Sequence, residues 1–369
     1  MTIEEVMKKD NFLDMLQERG IMARYDGPYV LLKYKNLFES GEMAVDFSED
    51  YIKECRGIIL KKVEDGYKIV CRPFKKWFNF QEPHADEIDW TSARVQAKID
   101  GSLVKLWFDE GWHWSTMGTI DADYADTASG LSFGEIIRQS DNFKVIDFDN
   151  LDKELTYIFE LVSPYNQVVI KYNTPHLYHI GTRRRNGEEL NVDIGIEKPT
   201  EYPLHSLEEC IAAAEKLNDD MVTDEGYVVV DKNWNRIKIK SPKYVLYHRV
   251  WNNGAAKAED ILSIINSGEM RKAMKEYPLL REDILKWNAA IALFEYELEA
   301  DISAARQVYE EYQNRGVAAS FIKKFKHPFA GFWGLDHEGH AEDLINSMSE
   351  KGYVKGLKGI LKEVGESEN

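Results

Sequence analysis

The apolar periodicity of this chain changes once, and that change limits what it can fold into. Up to about residue 250 the apolar residues come in short strand-like runs. Beyond Trp251-Asn252-Asn253-Gly254 they recur at three- and four-residue steps. Tyr29–Tyr34, Ile58–Val63, Tyr67–Val70 and Leu103–Phe108 are rich in β-branched and aromatic residues, and they read as strands. Glu64-Asp65-Gly66 and Asp109-Glu110-Gly111 supply hairpin turns between such runs. Further strands are expected over 155–162, 167–172, 176–183, 226–231 and 236–240. Helices are expected over 5–19, 130–154 and 206–217, the last with Ser206 as N-cap and Glu209 three residues on. In the second part, Trp287, Ile291, Phe294, Leu298, Ile302, Ala305, Val308 and Tyr312 mark one long amphipathic helix between Pro278 and Gly316. Helices are also expected over 256–275, 317–326 and 340–364. The pattern is α+β: antiparallel sheets to about residue 245, then an all-helical region over 246–369.

A chain of 369 residues is long for one core, so two domains are the natural expectation. No apolar run is long enough to span a bilayer, and the acidic start Met1-Thr2-Ile3-Glu4-Glu5 is unlike a signal peptide. Three cysteines, Cys55, Cys71 and Cys210, lack metal-ligand spacing, and a reducing cytoplasm suits them. The net charge of −17 counts against a protein that coats nucleic acid nonspecifically. It leaves room for a nucleic-acid enzyme whose cations line one groove.

Candidate chemistry centres on Val95-Gln96-Ala97-Lys98-Ile99-Asp100-Gly101-Ser102. Lys98 falls at a strand end beside a polar turn. A lysine there acts as a nucleophile only when its amine is deprotonated, so burial or neighbouring cations must lower its pKa. Lys238 and Lys240 sit two apart in a strand, so they share a face and suit a phosphate chain. Around them stand Cys55-Arg56-Gly57, Lys76-Trp77-Phe78-Asn79, Phe159-Glu160-Leu161 and Glu225-Gly226-Tyr227.

In this order the stretches resemble the covalent nucleotidyltransferase superfamily of ligases and capping enzymes. They are most similar to the phage-type, ATP-dependent RNA ligase 1 family that repairs tRNA, and the similarity runs from about residue 10 to about 250. The resemblance implies that 1–245 is an adenylyltransferase domain. It implies that 246–369 is a helical domain selecting RNA, where ligases of other branches carry a β-barrel. By the same resemblance Lys98 takes AMP from ATP, Lys238 and Lys240 hold phosphates, and Glu225 binds Mg2+ (or Mn2+). Tyr34, Arg56, Lys76, Gln96, Asp100, Gly101, Glu160 and Arg183 contact the nucleotide. The implied substrate is RNA with 5′-phosphate and 3′-hydroxyl ends, broken tRNA included, prepared by an end-healing kinase/phosphatase. Two positions depart from the family: Met117 and Gln167 stand where relatives carry basic residues. Met117 and the acidic charge motivate one rival, an RNA-binding or regulatory protein with an impaired site. Asp336-His337-Glu338-Gly339-His340 has histidines three apart, the wrong spacing for a zincin, and reads as a polar loop or helix start.

Overall fold

The computed structural model describes residues 1–34, 45–218, 222–252, 255–256, 258–268, 270–276 and 280–366. The chain forms two compact units, Met1–Gly254 and Ala255–Asn369. The expected boundary near residue 245 lies inside a helix, Pro242–Val250, tied to the first unit by Tyr244, whose hydroxyl donates to Asp100 at 2.6 Å.

The first unit begins with α1 (Ile3–Met7) and α2 (Phe12–Glu18). The expected single helix over 5–19 is broken between them. A four-stranded antiparallel sheet follows: β1 (Ile21–Asp26), β2 (Tyr29–Tyr34), then, after α3 (Asp50–Glu54), β3 (Arg56–Val63) and β4 (Gly66–Cys71). The later strands are β5 (Phe78–Asn79), β6 (Arg94–Ala97), β7 (Ser102–Phe108), β8 (Trp112–Thr116), β9 (Leu155–Val162), β10 (His176–Arg184), β11 (Glu189–Leu190), β12 (Glu201–Tyr202), β13 (Gly226–Val230) and β14 (Arg236–Lys240). They form two five-stranded sheets, in the orders β11-β10-β9-β7-β8 and β12-β6-β13-β14-β5. All pairings in these sheets are antiparallel except β14 with β5, where Lys238 stands opposite Asn79 in parallel register. The helices in this half are α4 (Phe133–Gln139), α5 (Leu207–Lys216) and α6 (Pro242–Val250). Separate apolar cores lie behind each sheet, one around Ile58 and Leu60, one around Phe159 and Leu177, and one around Val229 and Ile239.

Two further expectations in this unit fail. The apolar run Val168-Val169-Ile170 is a loop, because the backbone N–H groups of Val169 and Ile170 donate to the Asp100 carboxylate at 2.9 and 2.7 Å instead of to a neighbouring strand. The helix expected over 130–154 ends at Gln139, because Ser140 is extended and the Asp141 N–H donates to the Pro175 carbonyl at 3.1 Å instead of back along the helix.

The second unit consists of α7 (Ala258–Asn266), α8 (Met270–Glu276), α9 (Arg281–Tyr312), α10 (Arg315–Ile322), α11 (Pro328–Asp336), α12 (Ala341–Ser347) and α13 (Glu350–Glu366). The long helix α9 buries Ile284, Trp287, Ala290, Phe294, Leu298, Ile302 and Ala305 along one stripe. The segment 336–340 joins α11 to α12. Among the described residues no helix is long and apolar enough to cross a membrane.

Candidate active site

Backbone pairing puts Lys98 where it can act. The Lys98 N–H donates to the Gly226 carbonyl at 2.8 Å, which extends the β6–β13 ladder by one residue and brings the Lys98 amine beside Glu225. Gly226 has φ of +137°, and a Cβ there would stand 2.2 Å from the Ile239 carbonyl. Only glycine lets β13 and β14 approach this closely. Glu225 then bonds Lys98 Nζ at 2.7 Å through one oxygen and Lys240 Nζ at 2.8 Å through the other.

These side chains open on a cavity of about 290 Å³. Its lining brings together Tyr34, Arg56, Lys76, Lys98, Asp100, Gly101, Glu160, Glu225, Lys238 and Lys240, from all three sheets and their loops. Lys76 reaches it across aromatic faces, with its amine 5.2 Å from the Tyr34 ring centre and 5.1 Å from that of Phe78. Gln96 and Arg183 are not among the lining residues. Gln96 turns toward β12 and donates to Glu201 at 3.0 Å. Arg183 is buried in an ion-pair network, donating to both oxygens of Glu54 at 2.8 and 2.7 Å and to the Pro73 and Gly187 carbonyls.

Asp100 lines the cavity and shapes the loop beside Lys98. One oxygen takes the two N–H bonds from the 169–170 loop, and the other takes the Tyr244 hydroxyl. It is a strut that fixes the loop after Lys98 to α6. Gly101 permits that packing, since a Cβ there would stand 2.5 Å from the Leu161 carbonyl.

Electrostatics at the site run against one expectation. Burial opposes charge on Lys98, but Glu225 and Glu160 outweigh it, so the amine sits above the ordinary lysine value. The depressed lysine is Lys238, pushed down to about 7 by burial and by Lys98, Lys240, Arg56 and Lys76. Burial, with Glu225 and Asp100 nearby, pushes Glu160 up to about 7 despite Lys98. Burial would raise Glu225 as well, but Lys98 and Lys240 hold it below the usual carboxylate range. Five cations thus face three carboxylates in one cavity, and the excess suits a polyanion. Two buried donors, Arg56 Nη1 and Trp77 Nε1, lack partners among the described residues, and both residues line this space. Buried donors of this kind are costly unless a ligand meets them.

The cations near Met117 come from other strands. Arg24 donates to the Gly118 carbonyl at 2.7 Å, and the Lys105 amine, fully buried, donates to the Gly57 carbonyl. Neither is among the cavity-lining residues, so neither replaces a basic group at position 117 directly. Trp77 and the Asp100 strut were missed from sequence. Trp77 adjoins Lys76 in a stretch already singled out, whereas nothing in the local pattern around Asp100 announces bonds to residues 169, 170 and 244.

The model of the RNA ligase family matches residues 54–244, more than half of the chain. The chain belongs to this family. The matched span includes Arg56, Lys76, Lys98, Glu160, Glu225, Lys238 and Lys240. The chain is similar to an RNA ligase of Rhodothermus phage RM378, 26% identical over 304 residues, which cover 64% of this chain and 68% of that one. A relative from Autographa californica nuclear polyhedrosis virus is 28% identical over 283 residues, 69% of this chain and 40% of the relative. The chain thus matches less than half the length of that viral protein. Among solved structures, an archaeal ATP-dependent RNA ligase has a TM-score of 0.43 and 14% identity, covering 65% of this chain and 63% of its own.

Proposed function

We propose that this member of the family is an ATP-dependent RNA ligase that joins 5′-phosphate and 3′-hydroxyl ends through an AMP-carrying Lys98. The observation that carries the reading is the convergence of Lys98 with Arg56, Lys76, Lys238 and Lys240 on one cavity that holds unpaired donors. Arg56 and Lys76 receive the outer phosphates of ATP, and Lys238 and Lys240 neutralise charge at the α-phosphorus. Lys98, having lost its proton, attacks that phosphorus; a P–N bond forms, and the bond to pyrophosphate breaks. Glu225 holds Lys98 and Lys240 apart and aligned until the nucleotide arrives. AMP then passes to the RNA 5′-phosphate, and the 3′-hydroxyl displaces it.

The acidic groups fit a divalent ion held by few protein ligands. Among the described residues no group of three or more His, Cys, Asp or Glu side chains could hold a metal. Magnesium commonly takes one or two carboxylates and keeps its waters. Glu225 and Glu160 would hold magnesium or manganese, which when bound supplies charge neutralisation on the phosphates. Glu160, whose carboxylate has no hydrogen-bond partner among the described residues, is the donor with capacity to spare, and it also faces the ribose in this reading.

The helical unit selects the RNA, with broken tRNA as the candidate substrate. The viral relative is named for polynucleotide kinase and RNA ligase together, which supports healing of ends upstream of sealing. The three cysteines are free and buried, in keeping with a reducing cytoplasm. The test is sealing of a 5′-phosphorylated RNA with ATP and magnesium. ATP-dependent joining by wild type and none by Lys98→Ala supports the reading. RNA binding with no joining, unchanged in Lys98→Ala, supports the rival of an impaired site, for which Met117 speaks.

A further inference from the structure

Behind the active cavity lies a lysine that the ligase reading leaves unused. Lys105, on β7, is fully buried, and its amine donates to the Gly57 carbonyl on β3. A Cβ on Gly57 would stand 3.0 Å from that amine and 3.0 Å from the Met117 carbonyl. The amine therefore lies against the backbone next to Arg56 and Met117, and both of those residues line the active cavity.

A buried ammonium group is costly unless it is paired. Among the described residues Lys105 makes no ion pair. Ser115 stands directly across from it on β8 and adds no charge. The titratable groups that act on it are the Cys71 thiol, at the end of β4, and Arg56 on β3. Burial raises the Cys71 thiol, which stays neutral and supplies no countercharge. Burial, and with it the Arg56 cation, lowers Lys105 to about 8. At neutral pH the amine is thus charged and without an anion, and the nearest space that takes one is the cavity in front of it.

We propose that Lys105 is a positioning residue whose buried charge acts through the backbone of Arg56, Gly57 and Met117 to hold the outer phosphates of ATP. The inference rests on the ligase reading above. Met117 leaves its own part of the cavity wall without a cation, and the Lys105 charge lies behind that part. Protein rather than water separates the amine from the phosphates, so its field is weakly screened. Two unit charges about 10 Å apart at an intermediate dielectric alter each other's binding on the order of tenfold. The phosphates in turn favour the charged amine, so the Lys105 pKa rises from about 8 when the nucleotide binds. Its contribution to binding is full below about 8 and is lost as pH rises through the bound value.

Calorimetric titration of wild type, Lys105→Met and Lys105→Gln tests this, with α,β-methylene ATP and with AMP, each with magnesium. Glutamine keeps a donor toward Gly57 and loses only the charge, whereas methionine loses both. Should methionine unfold the protein, glutamine carries the comparison. At neutral pH the methylene analogue should bind about tenfold more weakly in both variants. AMP, which has no outer phosphates, should bind within about twofold of wild type. The gap for the analogue should close as pH rises above about 8; Lys98, Lys238 and Glu160 titrate in all three proteins and drop out of the comparison. Adding Met117→Lys to either variant puts a cation on the cavity side of the same backbone and should restore analogue binding. Wild-type analogue affinity in Lys105→Gln would overturn the proposal and leave Lys105 a hydrogen bond to Gly57. Equal losses for the analogue and AMP, or a gap that ignores pH, would overturn it too, since a distorted cavity gives those results. A wild type that binds neither analogue nor AMP would remove the ligase reading, and this proposal with it.

Discussion

Arg183→Ala separates a structural role from a nucleotide-binding one. Glu54 is 8% exposed and accepts Arg183 at 2.7 and 2.8 Å and Arg72 at 3.2 and 3.3 Å. Truncating Arg183 leaves Glu54 with Arg72 alone and leaves the Pro73 and Gly187 carbonyls without this donor. Breaking a buried pair by removing one partner costs about 3–5 kcal/mol, a large part of the roughly 5–15 kcal/mol that holds a typical protein folded. For a unit of this size that corresponds to a fall in melting temperature of roughly 6–20 °C. The pH dependence has a fixed sign. Burial would raise Glu54, but Arg183 and Arg72 hold it below the ordinary glutamate value. Its contribution is therefore full above that ordinary value and is lost as pH falls through the depressed one. The gap between wild type and variant should be widest near neutrality and should narrow on acidification. Calorimetry across pH measures this, and ATP titration of the folded variant should give an affinity within about twofold of wild type, since Arg183 contributes no cavity contact. Undiminished stability with lost ATP binding would refute the structural assignment.

Other consequences are as direct. Glu225→Gln removes the carboxylate at 2.7 Å from Lys98, the strongest influence holding its amine above the ordinary lysine value, so the Lys98 pKa should fall, readable from the pH dependence of its modification by an amine reagent. Lys238, near 7, is charged below that pH and neutral above it, so AMP binding should weaken as pH rises through about 7; in Lys238→Arg, which stays charged, that dependence should shrink in a calorimetric titration to the part that Glu160 adds as it ionises over the same range. Gly226→Ala forces β13 from β14 and should destabilise the protein by about 1–3 kcal/mol, with ATP labelling reduced even where the protein remains folded. Wild-type labelling in that variant would mean that the close approach at Gly226 does not position Glu225.

Much of the β-rich half was legible because hairpin turns and alternating strands are local signals. The Glu64-Asp65-Gly66 turn and the strands around it formed as their residues dictate. So did the shared orientation of Lys238 and Lys240, which follows from the period of a strand. Ser206 caps α5 by accepting the Glu209 N–H, although Glu209 reaches back to His205 instead of Ser206. What failed was set by distant partners. Val168-Val169-Ile170 has strand composition, yet Asp100, some 70 residues earlier, takes its N–H groups. In the helical half, Gly268 at φ of +75° divides the helix expected over 256–275, and α11 went unseen because its apolar residues show no stripe. The raised pKa of Lys98 was likewise hidden. Sequence shows the nearby lysines, but only the fold shows that Glu225 lies closer than they do.

The proposed ligase stands on Lys98 accepting AMP, and intact mass with peptide mapping reads that event itself. Purified protein, freed of bound nucleotide, is incubated with magnesium and ATP beside Lys98→Ala. An AMP-sized adduct that maps to Lys98 and is absent from the variant is the predicted result. A folded wild type that gains no adduct, or gains one at another residue, would contradict the account.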